Sequence, residues 1–341
     1  MTNRADNNEV VSFARAANGT LSEVNRYSTG GNGIGVDFDT QHGLRLSKDH
    51  RFLYACNPGS DNVTVFAVNG TQLGMIQKVY AGDQPLSITL SGNIAYIMDG
   101  SVAGNGVTGF TVASDGRLTP IPDSFRALSS PIAVPGDVEF SPDGNSLVVT
   151  GKVGNFIDVF QVRDNGLLSM PKHNPAAPDG RRTFAAAFRD DGVLFTVESG
   201  LPILNNAGVS SYKLDRATRS LSVITNSAKN HQTDGCWIVI TDDQQYAYTA
   251  NFVSGSVSSY RLGSNGTATL IDGHDIFFGD KSEPTDLAFS RGSHYLYNLL
   301  RGTGGVAAFE LRRDGTLKNL GVFGVGGALP IANGASGLAA Y

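Results

Sequence analysis

Several side chains that can transfer protons or bind anions stand just before short apolar segments of this chain. They are Gln41 with His42, Gln84, Arg181 with Arg182, His231 with Asp234, and Glu283. Histidine exchanges a proton near neutral pH, and arginine binds carboxylate or phosphate groups through paired N–H donors. Because these residues are spread over most of the chain, they can act together only if the fold brings their loops to one place.

The apolar segments that follow these residues recur at a regular interval. Their last residues are Ser47, Ser91, Ser141, Arg189, Thr241, Ser290 and Tyr341, and successive subtraction gives spacings of 44, 50, 48, 52, 49 and 51. Each segment leads through a tight turn into a second strand, then a third strand that ends in an aromatic residue, and often an Asx-Gly turn before an outer strand. The stretch from Cys236 to Leu270 shows the whole unit.

A period of about 40–50 residues with four strands per repeat is typical of a β-propeller. The high glycine content, 42 residues, and the low charged fraction of 17% also favour an all-β chain. We therefore predict an all-β, seven-bladed β-propeller with four-stranded antiparallel blades, and a single domain over residues 1–341.

The two ends of the chain complement each other in this repeat. Gly337–Tyr341 supplies only a first strand, Met1–Asn3 matches the end of a second strand, Val10–Phe13 a third, and Leu21 begins an outer strand. The pattern predicts a last blade closed by both termini. Its second strand is nearly absent, which suggests missing residues upstream of Met1, such as a leader. An extracellular location is favoured if a leader was removed, and a cytoplasmic one otherwise.

The first strand of each blade should run along a central channel, with alternate residues facing the channel and the neighbouring blade. The residues one and three places before each strand end are all apolar. The residues two and four places before it are small or polar, and we expect them to line the channel. The chemically active members of that set are Arg45, Asp137, Glu139, Trp237 and Asp286.

Two interpretations of these channel residues remain open. Arg45 and Glu139 can simply pair as charges in a wet tunnel, since a buried charge needs a partner. Alternatively, Asp137, Trp237 and Asp286 form a ligand pocket at the mouth where the first strands begin. The polar loops named above would converge on that mouth.

Composition excludes several other classes of protein. A net charge of −5 and a pI near 5.7 argue against a nucleic-acid surface, and no apolar run is long enough for a membrane helix. Cys56 and Cys236 fall on distant repeats, so we expect two separate thiols. No His/Cys cluster has the spacing of a metal site, so we expect no metal and no other cofactor. Calcium is the alternative, held by Asp137, Glu139, Glu198 and Asp286.

The repeat phrases FSPDGNSLVVT, YAYTANFVSGSVSSYRL and YLYNLLRGTGGVAAFELRRDGTL carry a family resemblance. Over essentially its full length the chain resembles the seven-bladed lactonase propellers. That family includes bacterial 6-phosphogluconolactonase of the propeller type and the fungal 3-carboxymuconate lactonizing enzyme. The resemblance implies metal-independent chemistry at the channel mouth, performed by histidine, arginine and glutamate side chains.

The family's catalytic positions are only partly matched. Glu198, in the phrase FTVES, matches the family glutamate, and Arg182 in GRRTF is near the family arginine, although alignment on the Asp-Asp-Gly turn places Phe184 there. The position of the family histidine corresponds to residues 134–137, and no histidine occurs there. The position of a further family arginine corresponds to residues 233–236, and no arginine occurs there.

Two functions from different classes follow. As an enzyme, the chain would be a lactone hydrolase or a lactone-forming isomerase acting on a small-molecule lactone or carboxylic acid. Glu198 would act as general acid/base, Arg182 would steady carboxylate or enolate charge, and His42 or His231 would replace the missing histidine. The predicted ligand-binding residues are Arg45, Gln84, Asp137, Glu139, Asp234, Trp237, Glu283 and Asp286.

The alternative is a non-catalytic propeller that binds a small molecule or a protein partner at the same mouth. Glu198 and an arginine within about 4 Å of each other would favour the enzyme. We expect a monomer with neither nucleic acid nor membrane among its partners.

Overall fold

A computed structural model of the chain describes residues 1–279, 281–331 and 334–341. Strands are numbered in chain order. The chain begins with a two-stranded antiparallel sheet of β1 (Glu9–Arg15) and β2 (Leu21–Ser28). Six larger antiparallel sheets follow, and each contains strands in consecutive chain order.

The innermost strands of these sheets are the predicted first strands. They are β3 (Leu44–Leu46), β7 (Pro85–Ser91), β12 (Pro135–Phe140), β16 (Thr183–Phe188), β20 (Gly235–Ile240) and β24 (Pro284–Phe289). The second strands are β4 (Phe52–Asn57), β8 (Ile94–Asp99), β13 (Ser146–Gly151), β17 (Val193–Glu198), β21 (Tyr246–Asn251) and β25 (Tyr295–Leu300).

The third strands are β5 (Asn62–Asn69), β9 (Gly106–Val112), β14 (Phe156–Gln161), β18 (Gly208–Asp215), β22 (Ser256–Leu262) and β26 (Gly305–Leu311). The outer strands are β6 (Gln72–Tyr80), β10 (Leu118–Pro120), β15 (Lys172–Pro175), β19 (Ser220–Lys229), β23 (Ala268–Phe277) and β27 (Leu317–Phe323). The short strand β11 (Arg126–Ala127) also pairs with β9, and a 3-10 turn covers Arg291–Ser293.

This arrangement is an all-β propeller with four-stranded antiparallel blades. We number the sheets as blades 1 (β3–β6), 2 (β7–β11), 3 (β12–β15), 4 (β16–β19), 5 (β20–β23) and 6 (β24–β27). The described residues thus form six such blades, one fewer than the seven repeats of the sequence. Residues of the remaining repeat form β1 and β2, whereas residues 335–341 contribute no strand.

A tyrosine in the second strand joins several blades to the next one. Its hydroxyl donates to the carbonyl of a glycine whose positive φ forms the turn before the neighbour's outer strand. The pairs are Tyr54 with Gly116 (3.0 Å), Tyr96 with Gly166 (2.6 Å), Tyr248 with Gly315 (2.6 Å) and Tyr297 with Gly19 (3.1 Å). These buried contacts repeat because the sequence repeats.

The last of these pairs puts the β1–β2 sheet beside blade 6, since Gly19 is in the β1–β2 turn. On its other side, Thr64 in blade 1 donates from Oγ1 to the carbonyl of Thr29 over 2.7 Å. The Met1 amine donates to the carbonyl of Gly337 over 2.9 Å. The β1–β2 sheet therefore contacts both blade 6 and blade 1, and the two chain ends contact each other.

The hydrophobic core is distributed over the contacts between neighbouring sheets. Cys56 and Cys236 are both buried free thiols in blades 1 and 5, so the prediction of two separate thiols is confirmed. Within the described ranges, no helix has the length and apolar character needed to cross a membrane.

The Tyr248 contact gives a test of this packing. Because Tyr248→Phe leaves the Gly315 carbonyl without its buried donor, it should lower the free energy of unfolding by about 1–2 kcal/mol in chemical denaturation. Tyr80→Phe is the control, since this ring is 64% exposed and should change stability by less than about 0.5 kcal/mol. Equal effects of the two substitutions would contradict the role assigned to the tyrosine contacts.

Candidate functional site

The segment of residues 37–42, which we call the strap, lies across the channel end where the inner strands begin. The Gln41 amide N–H donates to the carbonyl of Gly136 in blade 3 over 3.0 Å. Its side-chain oxygen accepts the Ile238 N–H of blade 5 over 2.9 Å. The Trp237 indole N–H donates to the Thr40 carbonyl over 3.2 Å. Since Thr40 and Gln41 are buried, the strap covers this mouth.

Ion pairs hold the strap on both sides of the mouth. Asp39 Oδ2 is 2.6 Å from Lys152 Nζ in blade 3 and 3.4 Å from the Arg182 guanidinium in blade 4. Asp37 is 2.8 Å from the Arg301 guanidinium in blade 6. Burial lowers the pKa of Lys152 below its ordinary value, although Asp39 opposes that shift. Two strap carboxylates therefore neutralise cations from three blades.

Below the strap, His42 faces the fully buried carboxylate of Asp137. His42 Nδ1 lies 2.9 Å from Asp137 Oδ1. The same carboxylate accepts the Ser87 hydroxyl and the Ala186 N–H, each over 3.1 Å. These donors come from blades 2 and 4, so the charge that orients His42 is held by both neighbours of blade 3.

These contacts select one tautomer of a neutral His42 ring. Gln41 Nε2 is 3.3 Å from His42 Nε2, and an amide nitrogen can only donate. His42 Nε2 is therefore the acceptor, and Nδ1 carries the proton that it donates to Asp137. The result is a histidine whose Nδ1 faces a buried carboxylate and whose Nε2 faces the Gln41 amide.

Arg45 and Glu139 form an ion pair beside this histidine. A guanidinium nitrogen of Arg45 is 2.8 Å from Glu139 Oε1, and His42 Nδ1 is 3.7 Å from Glu139 Oε2. Burial alone would raise the pKa of Glu139, but Arg45 and His42 together hold it below its ordinary value. Arg45 and His42 thus both contact the ionised carboxylate of Glu139.

The two sides of the channel differ in character. The strap contributes His42, blade 1 Arg45 and blade 3 Glu139, all partly exposed. The corresponding positions on the other side are small or aliphatic and also partly exposed, namely Ala187, Val239, Ala288 and Ala339. A small molecule in the channel would therefore meet one polar wall and one apolar wall.

Glu198 does not reach this channel. Its carboxylate is fully buried in blade 4, where it accepts the Ser227 hydroxyl over 3.1 Å, and a Cβ added at Gly180 would lie 3.0 Å from it. Burial raises the pKa of Glu198 to about 7. Among the described ion pairs, Arg182 contacts Asp39 rather than Glu198, so the expected convergence of these two residues is not seen.

Three other predicted ligand-binding residues are occupied by the protein itself. Trp237 is buried under the strap against Phe184. Asp286 is buried and accepts the Gly337 N–H over 2.8 Å. Glu283 is 2.9 Å from Arg301. Trp237 and Asp286 are therefore buried, whereas Glu283 stays partly exposed but is paired with Arg301. The sequence periodicity did not reveal these contacts.

The remaining predicted residues lie on the same end of the molecule but outside the channel. Asp234 accepts the Cys236 thiol over 3.3 Å, and burial raises the pKa of both groups. Gln84 is partly exposed in the loop before β7. His231 is exposed, with φ +61°.

The sequence analysis did not predict the strap contacts, although the repeat pattern indicates the positions of two of the cations involved. Lys152 and Arg301 each follow the last residue of a second strand, so they occupy equivalent positions in blades 3 and 6. The repeat therefore places two cations on one face. Asp37 and Asp39 lie in a long loop without periodicity, and nothing in the sequence shows where that loop runs.

In the part of the chain that the structure describes, no three His, Cys, Asp or Glu side chains are arranged to hold a metal ion. Glu198 in particular is held apart from Asp137 and Glu139 by its own blade contacts. The proposed calcium set is therefore not assembled.

The fold and the channel define this chain as a β-propeller with a charged central site. A family described as "Lactonase, 7-bladed beta-propeller" matches residues 6–135 and 180–274. The chain therefore belongs to the seven-bladed lactonase propeller family. His42, Arg45 and Glu198 lie within the matched ranges, whereas Asp137 and Glu139 lie just outside them.

Solved structures support the same fold at low sequence identity. The periplasmic gluconolactonase of Pseudomonas aeruginosa has a TM-score of 0.73 and 16% identity, over 94% of this chain and 96% of that chain. A candidate 6-phosphogluconolactonase from Bacteroides uniformis has a TM-score of 0.72 and 18% identity, over 91% and 90%. A Lactobacillus plantarum protein has a TM-score of 0.70 and 15% identity, over 94% and 97%. No curated protein sequence matches the chain.

The burial of Glu198 gives a pH-dependent prediction. The raised pKa, about 7 against an ordinary 4.5, means that the unfolded state ionises first as pH rises. The Glu198 carboxyl therefore lowers stability progressively between about pH 4.5 and 7, by about 3 kcal/mol in total. Glu198→Gln should remove this loss, so its advantage over the wild type should be larger at pH 8 than at pH 5 in urea denaturation.

Glu310→Gln is the control, because Glu310 is exposed and Lys318 holds its pKa below the ordinary value. It should show no gain at pH 8. A Glu198→Gln protein whose stability relative to wild type is independent of pH would contradict the buried placement of Glu198.

Proposed function

We propose that the channel below the strap hydrolyses a small lactone, with His42 as the general base. The observation that carries this proposal is the 2.9 Å contact between His42 Nδ1 and the buried Asp137 carboxylate. A histidine held in this way carries its proton on Nδ1, so Nε2 can take a proton from a water molecule that replaces the Gln41 amide as its partner. The carboxylate then stabilises the protonated ring. Membership of the lactonase family supports the same class of reaction.

The proposed reaction begins when His42 Nε2 takes a proton from a water molecule that attacks the lactone carbonyl. Negative charge then develops on the carbonyl oxygen, and the nearby Arg45 guanidinium stabilises it. As the ring C–O bond breaks, His42 returns its proton to the departing alkoxide. The product is the hydroxy acid, and Asp137 with Glu139 stabilises the imidazolium between the two proton transfers.

The shape of the channel suggests a compact substrate. The polar wall of His42, Arg45 and Glu139 would bind a carbonyl and ring hydroxyls, while the small side chains opposite leave room for the ring. Leu46, Phe188 and Ile240 are partly exposed at the end away from the strap, which would let solvent and substrate enter there. The reverse reaction, closure of a carboxylic acid to a lactone, would use the same groups.

The strap favours a second candidate function, which is binding without catalysis. Thr40 and Gln41 cover the predicted mouth, and Glu198 is removed from it, so the family's acid–base set is incomplete there. A protein of this kind would retain a lactone or carboxylic acid in the channel without turning it over. We propose that it acts as a monomer with this small-molecule ligand in either case.

We also propose that the described blades and the two chain ends make one seven-bladed ring in a single domain. The seventh blade would consist of Gly337–Tyr341, Met1–Asn3, β1 and β2, in that order from the channel outwards. The supporting contacts are Met1 N to Gly337 O at 2.9 Å and Thr2 N to Glu9 O at 2.9 Å. Two strands inside β1 would give this blade the same four-stranded form as the others.

Gly337 provides the test of this closure. It has φ +82°, and a Cβ added there would lie 2.7 Å from Leu44 Cβ and 2.9 Å from Met1 Cε. Gly326 has a similar φ of +78° with nothing within 4 Å of an added Cβ. Gly337→Ala should therefore lower the free energy of unfolding by about 2 kcal/mol more than Gly326→Ala, because only the first adds overpacking to backbone strain. Equal losses would argue against closure.

The catalytic proposal is tested with His42→Asn. His42 has φ +63°, a conformation that asparagine tolerates, so this substitution removes the base with little backbone strain. Hydrolysis of the best substrate in a panel of gluconolactone and other small lactones should fall by about 100-fold or more.

His231→Asn is the matched variant, since His231 has φ +61° on the same end of the molecule but is exposed and lies outside the channel. Its rate should equal that of the wild type. A rate lost in His231→Asn and retained in His42→Asn would refute the assignment. Calorimetric binding of a lactone that no variant hydrolyses would select the non-catalytic alternative.

A further inference from the structure

A second cavity lies outside the channel, between the loops of blades 3 and 4 on the strap side. Its volume is about 310 Å³. The residues that line it are Lys152, Asn155, Pro178, Gly180, Arg181, Arg182 and Leu201. Three cations and no carboxylate line this space. The neighbouring Asp39 carboxylate, on the strap, reaches two of them from the side.

The donors around this cavity exceed the acceptors that the protein supplies. Arg182 Nε is buried without a hydrogen-bond partner, and such a donor is uncommon in a native structure. Arg181 is exposed and has no carboxylate partner within the described ranges. Asp39 shows that Lys152 and Arg182 can hold one carboxylate between them. The exposed Arg181 guanidinium, beside the partly exposed Arg182 side chain, is therefore available to a second anion.

Exposed aliphatic side chains follow two of the lining residues, Lys152 and Leu201, along the chain. Ile203 is 47% and Leu204 is 67% exposed, and their loop is tied to the cavity wall because Gly200 N donates to the Arg181 carbonyl over 3.1 Å. On the other side, Val153 follows Lys152 directly and is 47% exposed. Exposed aliphatic residues grouped beside a cationic cavity indicate a ligand with an apolar part.

We propose that this cavity binds a small anionic amphiphile, namely an alkyl carboxylate. The carboxylate would accept hydrogen bonds from Arg181 and Arg182, with Lys152 adding positive charge. The alkyl chain would lie over Leu201 towards Ile203 and Leu204, where it would remove apolar surface from water. This site is separated from the channel by the strap, and the proposal does not depend on the lactonase chemistry.

An anionic lipid surface could offer the same two chemical features as a free alkyl carboxylate. The cavity favours the free molecule, because Lys152 is only 1% exposed and a headgroup held in a bilayer would have to leave the surface to approach it. The experiment therefore includes both sources.

The test is isothermal titration of the intact protein with decanoate below its micelle concentration. Decanoate should bind. Acetate, which lacks the alkyl chain, and decanol, which lacks the carboxylate, should each bind at least tenfold more weakly. Arg181→Ala should weaken decanoate binding at least tenfold. Ile203→Ser should weaken decanoate several-fold while leaving acetate unchanged. Added salt should weaken decanoate binding, since an ionic contact contributes to it.

Arg117→Ala is the control variant, because Arg117 is an exposed arginine at the opposite end of blade 2 and should leave decanoate binding unchanged. Circular dichroism of every variant verifies the fold. Absence of decanoate binding, or equal binding by wild type and Arg181→Ala, would overturn the proposal. If the protein sediments with phosphatidylglycerol vesicles but does not bind free decanoate, the proposal is also overturned, and the ligand is an anionic lipid surface.

Discussion

The buried carboxylate of Asp137 is the constraint on which the centre of this propeller depends. A carboxylate without solvent must receive hydrogen bonds from the protein, and here Ser87 and Ala186 provide them from the two adjacent blades. The Val138 N–H in the same strand donates as well, and His42, at the end of the strap just before blade 1, completes the set. One charge therefore fixes the spacing of three blades and the orientation of the imidazole, so the structural and chemical roles of Asp137 cannot be separated.

The strap follows from the same constraint. Because His42 must reach Asp137 across the channel, the residues before it are drawn over the mouth, where Thr40 and Gln41 bond to blades 3 and 5. Asp37 and Asp39 then meet the cations at the ends of the second strands. This arrangement divides the strap side of the molecule into a channel below and a cationic cavity beside it. The two spaces have different chemistry, the first suited to acid–base catalysis and the second to anion binding.

The sequence was sufficient to predict four-stranded blades, because the same strands and turns recur in the repeats, although the described residues form six such blades rather than seven. Alternation within the inner strands also placed Arg45 and Glu139 at the channel, since the two-residue period decides which side chains share a face. The partners of Asp137 were harder to predict. His42 is 95 residues away and lies in a loop, so only the ring geometry brings the two together.

Glu198 illustrates the other limit of sequence reasoning. Its position at the end of a second strand matches the family pattern, but its surroundings depend on the loop before β16. Gly180 in that loop has no side chain, which lets the backbone close over the carboxylate. A position in the repeat predicts a face of the blade, and it does not predict whether a neighbouring loop covers that face.

The central claim is that Asp137 orients His42 by accepting a hydrogen bond from its Nδ1, and the ring nitrogens report this directly. In ¹⁵N-labelled protein with six histidines, the His42 signals can be assigned by comparison with His42→Asn. We predict a spectrum with the proton on Nδ1, and a change at Nε2 when gluconate is added. A ring protonated on Nε2 alone, unaffected by gluconate and by Asp137→Asn, would contradict the account.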